Sequence, residues 1–167
     1  PDQRRIAGFA FLAMRDSEHL LVDAPTGSGK TIATLFPAFK AIGEGVVDRL
    51  IYTTSRTTGQ AAAETTIARL AEDTPFTSVT VHSKERICFN PEVACDPEQC
   101  EYAAGYYDRV RPAVSELLGR GQVVRDTVEE VAERHRVCPF ELGLDAAAWA
   151  DAVICDYNYV FDPMVRL

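Results

Sequence analysis

No run of 18 apolar residues occurs anywhere in the 167, which excludes a membrane-spanning helix. The amino terminus, Pro-Asp-Gln-Arg-Arg, lacks the apolar core of a secretory leader and has no initiator Met. The chain is therefore expected to start inside a longer protein. There is no C-x-x-C pair, so the usual spacing of zinc ribbons and zinc fingers is missing. Internal repeats and low-complexity tracts are also missing. Basic residues are few: 17 Lys+Arg face 25 Asp+Glu, a net charge of −8 with the three His neutral. That balance argues against a protein that coats nucleic acid through its overall charge, while leaving room for a local nucleic-acid groove.

What is present is enough for a core. Apolar residues make up 47% of the chain, which excludes bulk disorder, and the length suits one domain with an insertion. Five cysteines, an odd number without a leader, argue against a secreted disulfide scaffold. The expected compartment is the reducing cytoplasm, where clustered thiols are metal ligands or catalysts.

Hydrophobic patterning predicts alternating strands and helices. Strands are expected at Leu20–Ala24, Leu50–Thr54, Thr77–Val81 and Ala152–Cys155. Helices are expected from Lys30 to about Ile42, where Ile32, Leu35, Phe36 and Phe39 share a face, and from Thr57 to Leu70. This order predicts an α/β fold with a parallel sheet and helices on its faces. From Val81 to Ala152 the gap is far longer than a crossover of about 10–12 residues requires. Residues 83–148 therefore read as an insertion, helical over Glu98–Leu118, Val123–Arg136 and Asp145–Trp149. Four of the five cysteines lie in it.

The strongest signal is Ala24-Pro25-Thr26-Gly27-Ser28-Gly29-Lys30-Thr31. It matches the phosphate-loop pattern G-x-x-x-x-G-K-[ST] except for Ala at the first position. A glycine turn points successive backbone N–H groups at phosphate oxygens, and the next helix adds its positive dipole end. Lys30 would reach the β/γ-phosphates and the Thr31 hydroxyl would ligate Mg²⁺. An acid must also hold the metal ion. Asp156 follows a strand but precedes Tyr157-Asn158-Tyr159, so it reads as a turn residue, and Asp23 is placed no better.

Cys88, Cys95, Cys100 and Cys138 are 7, 5 and 38 positions apart in turn. Their loose spacing suits an iron–sulfur cluster, whose larger body takes thiolates from several directions, slightly better than zinc. Cys95 and Cys100 sit among Asp96, Glu98, Gln99 and Glu101, where an inert buried thiol gains little. Cys155 ends an apolar strand and reads as core.

Together these features resemble the XPD/DinG family of iron–sulfur DNA helicases in superfamily 2, over nearly the whole chain. Residues 24–31 resemble its motif I, where Ala in first position is usual. Tyr52-Thr53-Thr54-Ser55-Arg56-Thr57 with Gln60 is similar to motif Ia. Ser83-Lys84-Glu85-Arg86-Ile87-Cys88 resembles the approach to the first cluster ligand, and Cys138-Pro139-Phe140-Glu141 the surroundings of the fourth. Residues 150–159 with Asp162-Pro163 are similar to the segment before the Walker B box. The resemblance implies a partial RecA-like P-loop motor domain over 1–82 and 149–167, with an iron–sulfur insertion over 83–148. It implies ATP and Mg²⁺ bound by Pro25, Thr26, Gly27, Ser28, Gly29, Lys30 and Thr31, and a [4Fe–4S] cluster on Cys88, Cys95, Cys100 and Cys138. Gln3 stands roughly where the family reads adenine, and Lys84 where a basic residue supports the cluster.

The implied partners are single-stranded DNA and forked duplex DNA, with Thr54, Ser55, Arg56 and Thr57 as phosphate contacts and a monomer as the working unit. Between Cys88 and Cys138, six Arg and no Lys face ten acids, so the insertion has no general electrostatic grip on DNA. Tyr102, Tyr106 and Tyr107 read as helix packing before base stacking. The implied activity is an ATP-dependent DNA helicase, 5′-to-3′ by family, with a structural cluster. Its Asp-Glu-Ala-His box is expected soon after Pro163 and is not among these residues, and neither is the second motor domain. Residues 1–167 alone are thus expected to bind nucleotide weakly and not to turn it over. Two other readings stay open: a non-catalytic nucleotide-binding or docking module, and a P-loop ATPase or kinase with a zinc-stapled insert.

Overall fold

The computed structural model describes residues 2–164. The last three residues expected in the motor portion, and Pro1, lie outside them. The chain opens with a helix the sequence pattern did not reveal, α1 (Asp2–Arg15). It continues through α2 (Lys30–Gly43), β1 (Leu50–Thr53), α3 (Thr57–Leu70), β2 (Ser78–Thr80) and α4 (Lys84–Ile87). Then come α5 (Tyr106–Leu118), β3 (Gln122–Val123), α6 (Arg125–His135), α7 (Pro139–Ala147), β4 (Ala152–Cys155) and α8 (Asn158–Phe161).

The four strands form one parallel sheet in the order β1-β4-β2-β3. Strand β4 is buried on both faces, as its unbroken apolar run Ala152-Val153-Ile154-Cys155 requires. Alternation sends Ala152 and Ile154 to one side, where they meet Leu35 of α2 and Ala63 and Ile67 of α3. Val153 and Cys155 go to the other side and join Val79, Val110, Leu117, Val128, Val131 and Leu142. Each fully buried Leu or Val here contributes roughly 1.5–3 kcal/mol. Burial pushes the Cys155 thiol up to about 11, so it stays neutral at physiological pH and behaves as core.

Three differences from the expected elements have plain causes. Leu20–Ala24 has no regular structure and pairs with no strand, and Leu21 is 98% exposed. Its composition suits a strand, but a strand exists only beside a partner, and among the described residues none flanks it. Second, the insertion is not wholly helical. Val123, expected to begin a helix, lies in β3, which pairs with β2 and adds a fourth strand to the sheet. Gly121, at φ 73°, makes the turn into it. Third, the Glu98–Leu118 helix begins only at Tyr106. The preceding residues form successive tight turns, with Cys100 N–H bonded to Asp96 O and Ala104 N–H to Cys100 O. Arg109 ties that segment down by donating to Arg136 O at 2.8 Å and to Ala104 O.

Helices α5, α6 and α7, all from residues 83–148, cover one face of the sheet, while α2 and α3 cover the other. The cysteine-bearing stretch is thereby anchored on the same sheet that the phosphate loop serves.

Candidate functional site

The phosphate loop lies between the unpaired Leu20–Ala24 segment and α2. Gly27 at φ 80° and Gly29 at φ 78° are both left-handed, a conformation that side chains with a Cβ rarely adopt. A Cβ at Gly29 would also meet the amide end of the Gln3 side chain, which would have to move aside. Gln3, on α1 and expected at the adenine-reading position, donates from Nε2 to Ser28 O of the loop at 3.0 Å. Lys30 opens α2, and its ammonium donates to Ala24 O and Pro25 O, both at 2.7 Å. It therefore curls back over the loop. The Ser28 hydroxyl is buried with no partner. Thr31 follows in the first turn of α2, half-buried. Loop, helix start and ammonium are thus adjacent, with Lys30 bonded to the carbonyls that open the loop. Pro25 and Thr26 are exposed at its outer turn.

The second site is a cavity of about 400 Å³ in the insertion. Cys88, Cys95, Cys100 and Cys138 all line it, together with Lys84, Phe89, Tyr102 and Phe140. They arrive on three pieces of chain: Cys88 at the end of α4, Cys95 and Cys100 on the turns after it, and Cys138 before α7. None is disulfide-bonded. Cys95 is exposed and Cys100 is buried. Asn90 Nδ2 lies 3.9 Å from Cys100 Sγ. Burial raises the Cys138 thiol, while the N–H groups of Glu141 and Phe140 pull it back. A hydrogen bond to Cys95 raises Lys84, with Cys88 and Cys138 adding to the effect. The four thiols thus share one cavity. Among the described residues no three His, Cys, Asp or Glu side chains converge as a single metal ion would require.

Third, a groove of about 450 Å³ opens at the carboxyl ends of the parallel strands, where α/β sheets collect their ligands. Ser55 and Thr57 line it, with Gln60, Lys84, Arg86 and Asn158. Of the four expected phosphate contacts, two face this groove and two do not. Thr54 turns toward its own chain, its Oγ1 accepting from Arg56 N–H at 3.3 Å, and Arg56 stands at the N-cap position of α3 without a side-chain capping bond. Lys84, Arg86 and His82 escaped the sequence reading as groove residues. Their signal was their position, directly after an apolar strand in a parallel sheet. Lys84 lines both the groove and the thiol cavity.

The remaining candidates settle into structural roles. Asp156 Oδ1 accepts from Asn158 N–H at 2.9 Å and shapes the turn into α8. Tyr106 is buried and donates to Asp145 Oδ2 at 2.8 Å, and Phe89 packs against Tyr102 at 5.0 Å. Tyr107, expected to pack with them, is 87% exposed, with its ring edge-on to Tyr106.

His82 gives a pH prediction. It is half-buried, its Nε2 has no partner, and burial lowers its affinity for a proton below the usual 6.5. Glu64 and Glu129 oppose this shift, and Arg125 and Arg86 reinforce it. The unfolded chain thus binds the proton more readily, so stability falls as pH drops through 6.5 toward the depressed folded value. The His82→Asn variant should show a flatter decline of Tm over that window, measured by circular dichroism. Identical slopes would remove His82 as the cause.

Comparison with known proteins accords with this geometry. The DEAD_2 family model matches residues 53–167. The General transcription and DNA repair factor IIH helicase subunit XPD of Dictyostelium discoideum is 23% identical over 87% of this chain and 22% of its own length. A Regulator of telomere elongation helicase 1 homolog of Drosophila melanogaster is 21% identical over 99% of this chain and 22% of its own. Among solved structures, one described as XPD_Helicase superposes with a TM-score of 0.64 at 17% identity, covering 98% of this chain and 28% of that one. A truncated XPD gives 0.57 at 19% identity, over 95% and 46%. These structural likenesses establish the RecA-like fold. The chain spans about a fifth of the length of those two curated relatives. No helix among the described residues is long and apolar enough to cross a membrane. With the family model covering more than half of its residues, the chain belongs to the DEAD_2 family and is of the XPD/DinG type.

Proposed function

We propose that this chain is the N-terminal part of an ATP-dependent DNA helicase, with residues 1–82 and 149–167 in its first motor domain and residues 83–148 as an iron–sulfur insertion. The observation that carries the reading is the single cavity shared by Cys88, Cys95, Cys100 and Cys138, on the same sheet as a phosphate loop. The chemistry of the donor set supports a [4Fe–4S] cluster: four free thiols line one cavity, with a basic Lys84 at the rim to offset thiolate charge. When bound, it supplies a covalent four-point staple for the turns that precede α5.

In this reading, the N–H groups of Gly27–Thr31 cradle the phosphates, Lys30 leaves its two carbonyl partners for the β/γ-phosphates, and Thr31 holds Mg²⁺. Gln3 steadies the loop from α1 and reaches adenine. Ser55 and Thr57 hold the phosphates of single-stranded DNA across the strand-end groove, with Lys84 and Arg86 supplying local positive charge that the acidic chain lacks overall. Thr54 and Arg56 shape the turn that presents them. Closing of two motor domains, and reopening after hydrolysis, would advance the strand 5′ to 3′, with the insertion as a wedge at a fork. The working unit is a monomer in the cytoplasm, and residues 1–167 alone do not turn over ATP.

The test uses the natural full-length protein purified without oxygen. Roughly four irons and four acid-labile sulfides per chain are expected, together with ATPase stimulated by single-stranded DNA and unwinding of a 5′-tailed fork. Zinc without sulfide, or an ATPase indifferent to DNA, overturns the reading.

A further inference from the structure

The guanidinium of Arg109, on α5, bonds two stretches of chain that are distant in sequence. Its Nε and Nη2 donate to Arg136 O at 3.2 and 2.8 Å. Nη2 also donates to Ala104 O and, at 3.4 Å, to Glu101 O. Glu101 directly follows Cys100, and Arg136 stands two residues before Cys138. Arg109 itself does not line the thiol cavity. One planar fork thus ties together the backbone beside two of the four thiols. Gly105, left-handed at φ 64°, leaves the fork its room, since a Cβ there would come within 2.8 Å of Arg109 Nη1. Arg136 is left-handed too, at φ 54°, where a residue with a Cβ stays only if its surroundings hold it. Arg109 holds its carbonyl, and Val137 next to it is wholly buried. The Arg136 side chain also bonds the Glu101 carboxylate, but both groups are exposed, and such a pair contributes little.

We propose that Arg109 is a positioning residue for the thiol site: through the backbone it presets the spacing of Cys100 and Cys138 before a cluster binds. The proposal rests on the cluster reading of the four thiols. Turns ordered in advance reduce the entropy lost when separate thiolates must meet one body. Arginine suits the task because its donors lie in one rigid plane, whereas lysine is a compact point donor on a flexible stem.

The test uses Arg109→Gln and Arg109→Lys in the natural full-length protein, purified without oxygen and mixed with an iron chelator. Visible absorption should fade about 10–100-fold faster in Arg109→Gln than in wild type, the usual effect of losing a group that orients metal ligands. Arg109→Lys should also fade faster than wild type. Amide hydrogen exchange should quicken at residues 100–105 and 136–138, while Val128 and Val131 in the core of α6 keep their protection. Val131→Ala is the control: it thins the same helical layer without touching these carbonyls, and should fade close to the wild-type rate. Equal fading in Val131→Ala and Arg109→Gln would make Arg109 a general stabiliser, and wild-type retention in Arg109→Lys would make its charge sufficient. Either result overturns the proposal. If wild type holds iron and sulfide and Arg109→Gln fades no faster, this inference alone falls. If wild type holds neither, the cluster reading falls and takes this inference with it.

Discussion

The Lys30→Ala variant of the full-length protein should lose ATPase activity by about 10²–10³-fold, as expected for removing a preorganised charge from a phosphoryl-transfer site. The cause is local. Lys30 stands at the first position of α2, where its ammonium reaches back over the glycine turn. Alanine keeps the helix but supplies no cation for the β/γ-phosphates. Folding should hardly suffer, because the two carbonyls Lys30 leaves are at the surface or partly so, and such bonds contribute about 1 kcal/mol each. The visible absorption of the thiol site should be unchanged, since Lys30 does not line that cavity. Steady-state ATPase, nucleotide titration and absorption spectra make the three measurements. Wild-type turnover would remove the phosphate loop from the mechanism.

Replacing one thiolate should have the opposite signature. Cys100→Ser swaps a good iron ligand for a hydroxyl that stays protonated, at the most buried of the four positions. Visible colour should be lost, and the turns between Cys88 and Tyr106 should lose their protection from proteolysis. The damage should spread further than a peripheral staple would allow. Helices α5, α6 and α7 share a core with Val79, Val81 and Val153 of the sheet, so loosening their first turns weakens the motor portion as well. A loss of at least about 3 kcal/mol is expected, or roughly 6–12 °C in Tm for a domain of this size. Cys155→Ala is the control. It is equally buried but belongs to the core, away from the cavity, so it should keep its colour. Wild-type colour in Cys100→Ser, or bleaching in Cys155→Ala, would contradict the ligand assignment.

How much of this was legible beforehand depends on the range of the interaction involved. Strand β4 and helices α2 and α3 follow from local apolar spacing, and they lie where that spacing puts them. The phosphate loop was legible for the same reason: its glycines, lysine and threonine act within eight consecutive residues. Helix α1 went unread although Asp2 in its first turn and Arg15 in its last are charges that helix ends favour. Strand β3 was missed because two residues hold no periodicity, and only β2 beside them makes Gln122 and Val123 a strand. Leu20–Ala24 failed the other way, since composition favours a strand there but no strand among the described residues lies beside it.

Residue order by itself therefore determined the chemistry on offer: a phosphate-loop motif, four thiols at loose spacing, and a parallel α/β alternation. Tertiary structure alone decided that the thiols share one cavity, that Ser55 and Thr57 face the groove while Thr54 and Arg56 do not, and that the insertion is built into the sheet. The physical reason is reach. Backbone turns and helix faces are set by neighbours a few residues apart, whereas a cavity lined from Cys88 to Cys138 exists only once α4, α5 and α7 have packed against one core.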